Sequence, residues 1–221
     1  MIDISGHYNN FQQFWGEHTE DEMHRSNTKL PHRHLHTAIK AVDEGSKFLV
    51  SIFEGRNEKS CLVEDSVIIA DQLVETVHGC KTVDGSFSIE DGKLSLHHWD
   101  GVKIESGHHY TMLPCRYFSG WIQYPPDMKT PDLLYDQRDL VIHDQGGMVE
   151  LDVEGKDYTV ELTQLVYAHT IYIMKLAIYD LPLAEVDINS KAISYTWTNP
   201  EATRIGINLR KLISGWTLIE S

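Results

Sequence analysis

The chain has 221 residues, with 33 acidic side chains against 19 Lys or Arg and a formal net charge of -14. That balance argues against a nucleic-acid backbone or an anionic membrane surface as partner, since both are held by clustered cations. The length suffices for one generous core, so a single domain spanning residues 1–221 is expected. The opening Met-Ile-Asp-Ile-Ser-Gly-His-Tyr lacks a basic start followed by an apolar run, and no later stretch approaches a membrane span, which predicts a soluble, cytoplasmic protein. Cys61, Cys80 and Cys115 form no CxxC pair and are odd in number, so they read as reduced thiols.

In chain order, Tyr8, Phe11 and Trp15 stand at spacings of three and four, predicting an amphipathic helix over Ile4 to His18. The polar stretch Thr19 to Leu30 reads as a loop or a ragged continuation of that helix. From Pro31 the period becomes two. His34, His36, Ala38, Lys40 and Val42 share one strand face, and Leu35, Thr37, Ile39 and Ala41 the other. Glu44-Gly45 turns the chain into Lys47 to Phe53, and Ser60 to Glu64 and Ser66 to Val77 are further strands. Asp91-Gly92 between Phe87-Ser-Ile-Glu and Lys93-Leu-Ser-Leu-His is a type I′ hairpin signal, repeated at Asp84-Gly85 and Asp100-Gly101. Beyond the three prolines of Pro125 to Asp132, the strands are Arg138 to His143, Met148 to Val153, Tyr158 to Tyr167, Thr170 to Tyr179, Ala192 to Thr198, Ile205 to Leu212 and Trp216 to Glu220. Turns are expected at Gly146-Gly147, Glu154-Gly155 and Asn199-Pro200. Met112, Met148 and Met174 read as core fillers, and Trp197 and Trp216 as aromatics that close the fold near the chain end. About a dozen short strands after one helix predict an all-β fold, a single antiparallel β-barrel with a short N-terminal helix, whose interior either fills with side chains or holds a small ligand.

The segment Pro-Cys-Arg-Tyr-Phe-Ser-Gly-Trp-Ile-Gln-Tyr-Pro over Pro114 to Pro125 concentrates a cation, phenols, an indole, an amide and a thiol in one strand length. It is the expected wall of a pocket, with Arg116, Trp121 and Tyr124 as ligand-binding residues. Tyr167, a further ligand-binding residue, and His169 bring polar groups to an otherwise apolar strand. General acid/base work needs a histidine or carboxylate beside a tyrosine. His169, Tyr117, Asp139 and Glu54 are the catalytic candidates, with Asp144 beside Asp139 as the carboxylate for a basic ligand nitrogen. His32, His34 and His36 alternate on one face, a spacing that would also suit a metal. Without a matching carboxylate the face reads as solvated, and neither metal nor cofactor is expected.

The stretch Gly6-His-Tyr-Asn-Asn-Phe-Gln-Gln13 resembles the Gly-x-aromatic-x-Asn-x-x-Gln opening of the T-type phycobiliprotein lyases, matching at Gly6, Tyr8, Asn10 and Gln13. Pro114-Cys-Arg-Tyr117 echoes that family's Pro-Tyr-Arg motif, with Cys115 where tyrosine is usual. The resemblance implies a calycin-like barrel that binds a linear tetrapyrrole, with Asn10 and Gln13 in the ligand site, and positions it for attachment to a cysteine of a phycobiliprotein subunit. Two alternatives stay open. One is a metal-independent isomerase, cyclase or dehydratase acting on a small apolar substrate by His/Tyr/carboxylate chemistry; the other is a non-catalytic carrier.

Overall fold

The structure is a computed structural model, described over residues 3–18, 32–55, 60–104, 108–124, 135–153, 155–167, 171–209 and 212–220. Its regular structure is almost wholly antiparallel strand, with one α-helix near the start, as the sequence pattern predicts. The strands do not share one core. They divide into two compact units, one ending at Cys115 and the other taking the chain from Arg116 onward, each with its own apolar interior.

The first unit contains β1 (Gly6–Asn9), α1 (Phe11–His18), β2 (Leu35–Val42), β3 (Lys47–Glu54), β4 (Ser60–Ile69), β5 (Leu73–Glu75), β6 (Gly79–Thr82), β7 (Phe87–Glu90), β8 (Lys93–Leu96) and β9 (Tyr110–Pro114). They form one nine-stranded sheet in the order β4-β3-β2-β1-β9-β8-β7-β6-β5. Its two edge strands are consecutive in the chain, joined only by the turn Ala70–Gln72, so the sheet curls into a nearly closed barrel. Leu35, Thr37 and Ile39 of β2 point inward, in the phase the alternation predicts. They meet Phe48, Ile52, Phe87, Leu94 and Met112, which fill the interior. Each such fully buried apolar side chain contributes about 1.5–3 kcal/mol.

The expected helix over Ile4 to His18 is half strand. Gly6–Asn9 is hydrogen-bonded between β2 and β9, with Tyr8 opposite Thr37 and Pro114. The helix begins only where the Asn9 side-chain oxygen accepts the Phe11 N–H at 2.8 Å. Ladder pairing on both sides of β1 outweighs an amphipathic period carried by three aromatics. All three Asp-Gly turns are present. Asp91 and Gly92 both take positive φ, 50° and 75°, between Glu90 and Lys93, which are paired.

The second unit contains β10 (Tyr117–Tyr124), β11 (Tyr135–His143), β12 (Gln145–Val153), β13 (Lys156–Tyr167), β14 (Ile171–Tyr179), β15 (Ser194–Thr198), β16 (Arg204–Asn208) and β17 (Ile213–Leu218). Two four-stranded sheets, β11-β10-β17-β16 and β12-β13-β14-β15, line a common core that includes Phe118, Leu151, Leu162, Leu176 and Trp216. Gly146 and Gly147 are not the expected turn. The chain turns at Asp144 and passes from one sheet to the other, and both glycines lie in β12 beside a bulge. Trp216 is buried in the core as expected of a closing aromatic, whereas Trp197 is 64% exposed on β15. Met112, Met148 and Met174 are all buried. Among the described residues no helix is long and apolar enough to cross a membrane.

Candidate functional site

The residues singled out in the sequence occupy both units. In the first, Asn10 and Gln13 are clips. The Asn10 side chain accepts the Leu35 N–H at 2.6 Å and donates to the Arg33 carbonyl at 2.8 Å. Gln13 accepts the Thr111 N–H at 3.1 Å and donates to the His109 carbonyl at 3.2 Å. Together they lash the start of α1 to the entry of β2 and to β9. Glu54, at the end of β3, pairs with Arg33 at 3.3 Å with both side chains about two-fifths exposed, at 42% and 41%.

In the second unit, Arg116 is committed to a buried carboxylate. Its Nε lies 2.6 Å from Asp144, which is fully buried and also accepts the Arg116 N–H at 3.0 Å and the Gln164 amide at 2.7 Å. The same guanidinium donates to the Pro200 carbonyl. Asp144, the alternative to Asp139, is thus the partner of Arg116. The Tyr117 ring meets His143 edge-on at 5.8 Å. Asp139 is exposed, with φ of 57° at the bulge opposite Trp121, and Trp121 lies against Gly215. Tyr124 packs on Tyr158 at 6.3 Å. The backbone of Tyr167 pairs with Ile171 at the end of β13, and His169 lies outside the described residues.

A tighter constellation sits in the first unit, on residues the sequence reading passed over or placed on a solvated face. Glu17, in the last turn of α1, and His32, just ahead of β2, have side chains only 5% and 8% exposed. The His32 Nδ1 lies 2.8 and 3.1 Å from the two Glu17 oxygens, and the His32 backbone N–H donates to the same carboxylate at 2.6 Å. A carboxylate only accepts, so Nδ1 carries a proton, and the neutral form of this ring has its lone pair at Nε2. That Nε2 is buried and, among the described residues, has no hydrogen-bond partner. The Tyr110 ring stands edge-on to His32 at 4.8 Å and the His108 ring lies at 5.5 Å. His97 and His109 stack at 5.3 Å. Partial desolvation, and then the neighbouring His97, His32 and His108, hold His109 below the usual histidine range.

His34 and His36 do not join His32 at one point, as an alternating metal face would require. His34 Nε2 donates to the Asn9 side-chain oxygen at 2.8 Å and its ring stacks on Phe14 at 5.0 Å. The Asn9 amide faces His36 Nδ1 at 3.4 Å, and His36 Nε2 faces His7 Nδ1 at 3.1 Å. The face is buried and internally hydrogen-bonded, which corrects its reading as solvated. No spacing rule joins His32 to a glutamate fifteen residues earlier on a helix, so the sequence carried no direct signal for the dyad.

Comparison with protein-family models, with curated proteins and with solved structures gives no match.

Proposed function

We propose that the first unit is an acid–base site for a small organic substrate, of the isomerase, cyclase or dehydratase type. The observation that carries this reading is the unpartnered, buried Nε2 of His32 opposite a Glu17-bound Nδ1. Leaving a buried polar atom unpaired costs about 1–3 kcal/mol, which a substrate donor would return. Glu17 fixes the tautomer and stabilises the imidazolium that forms when Nε2 accepts a proton from substrate carbon or oxygen. The same nitrogen then returns the proton at another position. Such a positioned base is worth about 10²–10⁴ in rate. Tyr110 and His108 furnish the aromatic wall that suits a conjugated or apolar substrate. His, Tyr and carboxylate are the residue types the sequence called for, supplied by other positions.

The test uses 5-nitrobenzisoxazole, from which a base removes the C3 proton as the N–O bond breaks and a nitrophenolate is released. In EDTA, the wild-type protein should turn it over saturably, about 10²-fold faster than His32→Gln. Glu17→Gln should keep the Michaelis constant and lose roughly tenfold in kcat. Equal rates for all three proteins, with unchanged circular dichroism, would overturn the assignment. A second reading, tetrapyrrole attachment to a phycobiliprotein cysteine, is favoured by the Gly6–Gln13 octapeptide. An absorbance titration with a linear tetrapyrrole, Arg116→Ala beside wild type, decides it: a saturable shift supports it and no shift removes it.

A further inference from the structure

We propose that His97 and His109 of the first unit form a cross-strand bis-imidazole site for a divalent transition-metal ion of the zinc, nickel or copper class. The argument starts from register. Ser95 pairs with Thr111 and Leu96 with Tyr110, so the next residues outward from the β8–β9 ladder, His97 and His109, lie opposite one another. Their ring centroids are 5.3 Å apart. Two imidazoles sharing one ion at metal–nitrogen distances of about 2.0–2.1 Å in tetrahedral geometry have centroids roughly 5 Å apart. The centroid spacing therefore matches that of co-ligands, and the stacked rings must turn to aim both lone pairs at one point.

Both backbones are pinned, so the pair is preorganised. The His97 N–H donates to the Ser86 carbonyl at 2.9 Å, and the His109 carbonyl accepts the Gln13 amide at 3.2 Å. Both side chains are exposed and open to an ion from solution, with water completing the coordination. The imidazoles of His32, His97 and His108 all lie within electrostatic reach of His109, and no Lys or Arg is among the groups acting on it. Imidazole donors favour zinc, nickel and copper over magnesium and calcium, which take oxygen. The site uses nitrogens other than His32 Nε2, so it goes beyond the acid–base reading and stands or falls separately from it.

The experiment is calorimetric titration of EDTA-stripped full-length protein with Ni²⁺, with Mg²⁺ as the oxygen-seeking control. One saturable Ni²⁺ site is expected, and no heat from Mg²⁺. His97→Gln and His109→Gln, both at exposed positions, should each weaken Ni²⁺ by at least about tenfold. His78→Gln, an exposed histidine beside Asp91, should leave it unchanged. His32→Gln should also retain Ni²⁺ binding while losing the isoxazole reaction, which separates the two proposals. No saturable uptake, or equal affinity in the His97 and His109 variants, would overturn the metal site.

Discussion

At Cys80 burial decides the chemistry. Its side chain is 2% exposed in the first unit's core, and desolvation pushes the thiol above its ordinary value, as it does the Tyr8 phenol. Cys61 is exposed. Iodoacetamide at neutral pH should therefore modify Cys61 well before Cys80, which should react at full rate only in denaturant; equal native rates measured by mass spectrometry would contradict the packing. The linkage has a definite sign. A group whose folded pKa is raised gives stability that is complete below the unfolded value, near 9.0 for this thiol, and lost as pH rises through the folded one. Urea midpoints should thus fall above pH 9, and less so in Cys80→Ala. The Glu17–His32 dyad makes a prediction of another kind. Long-range ¹⁵N–¹H spectra should show His32 as the Nδ1–H tautomer in the wild-type protein, and a tautomer mixture in Glu17→Gln. A wild-type Nε2–H tautomer would break the assignment of the lone pair. None of this was legible from spacing. His32 was visible as one of an alternating trio, but Glu17 lies fifteen residues earlier on a helix. The Asn10 and Gln13 clips, whose partners are backbone groups at the entries and in the strands of β2 and β9, help bring the two together, as does the packing of Phe11 and Phe14 on His34.

Elements were legible where local chemistry dictates them. The Asp91-Gly92 hairpin required φ above zero at both central residues, and the flanking strands follow in the expected register. The inward phase of β2 was legible at Leu35, Thr37 and Ile39, whereas Ala41 of the same face is exposed and His36 of the opposite face is buried. Reading failed where a neighbour overrides local preference. The aromatic spacing before Phe11 looked helical, yet β1 is held by ladders on both sides. Gly146-Gly147 looked like a turn, yet Gly147 is needed where a Cβ would collide with the His143 backbone. The same logic applies to β10. Gly120 pairs with Trp216 across the β10–β17 ladder, and a Cβ built there falls inside the Trp216 indole. Gly120→Ala should destabilise the second unit by about 3 kcal/mol through overpacking, read as a lowered urea midpoint by tryptophan fluorescence. A neutral result would mean that the indole has room to move. Asn10→Ala tests the first unit in turn. It strands the buried Leu35 N–H and should cost about 1–3 kcal/mol, and by loosening the entry of β2 it should also erode the His32 tautomer preference.

At the scale of the molecule the governing quantity is charge. Thirty-three acidic groups against 19 Lys or Arg leave -14, and the ion pairs on the described surface, such as Lys47–Asp43 at 2.8 Å and Lys156–Asp180 at 3.2 Å, are local and solvent-exposed. Pairs of that kind contribute little to stability and are screened by salt. If they dominated, salt would destabilise the protein. Self-repulsion among the unpaired carboxylates acts over longer distances and opposes the compact state. Raising NaCl from about 20 mM to about 500 mM shortens the screening length from roughly 20 Å to roughly 4 Å, which removes most of that repulsion while leaving close pairs less affected. Relief of about 1 kcal/mol would raise Tm by roughly 2–4 °C for a chain of this size. Scanning fluorimetry across that salt range should therefore show Tm rising, with KCl matching NaCl because the effect is one of ionic strength. A falling Tm would assign the larger role to the exposed pairs. A rise with sulfate alone would point instead to strengthened burial of the two apolar cores.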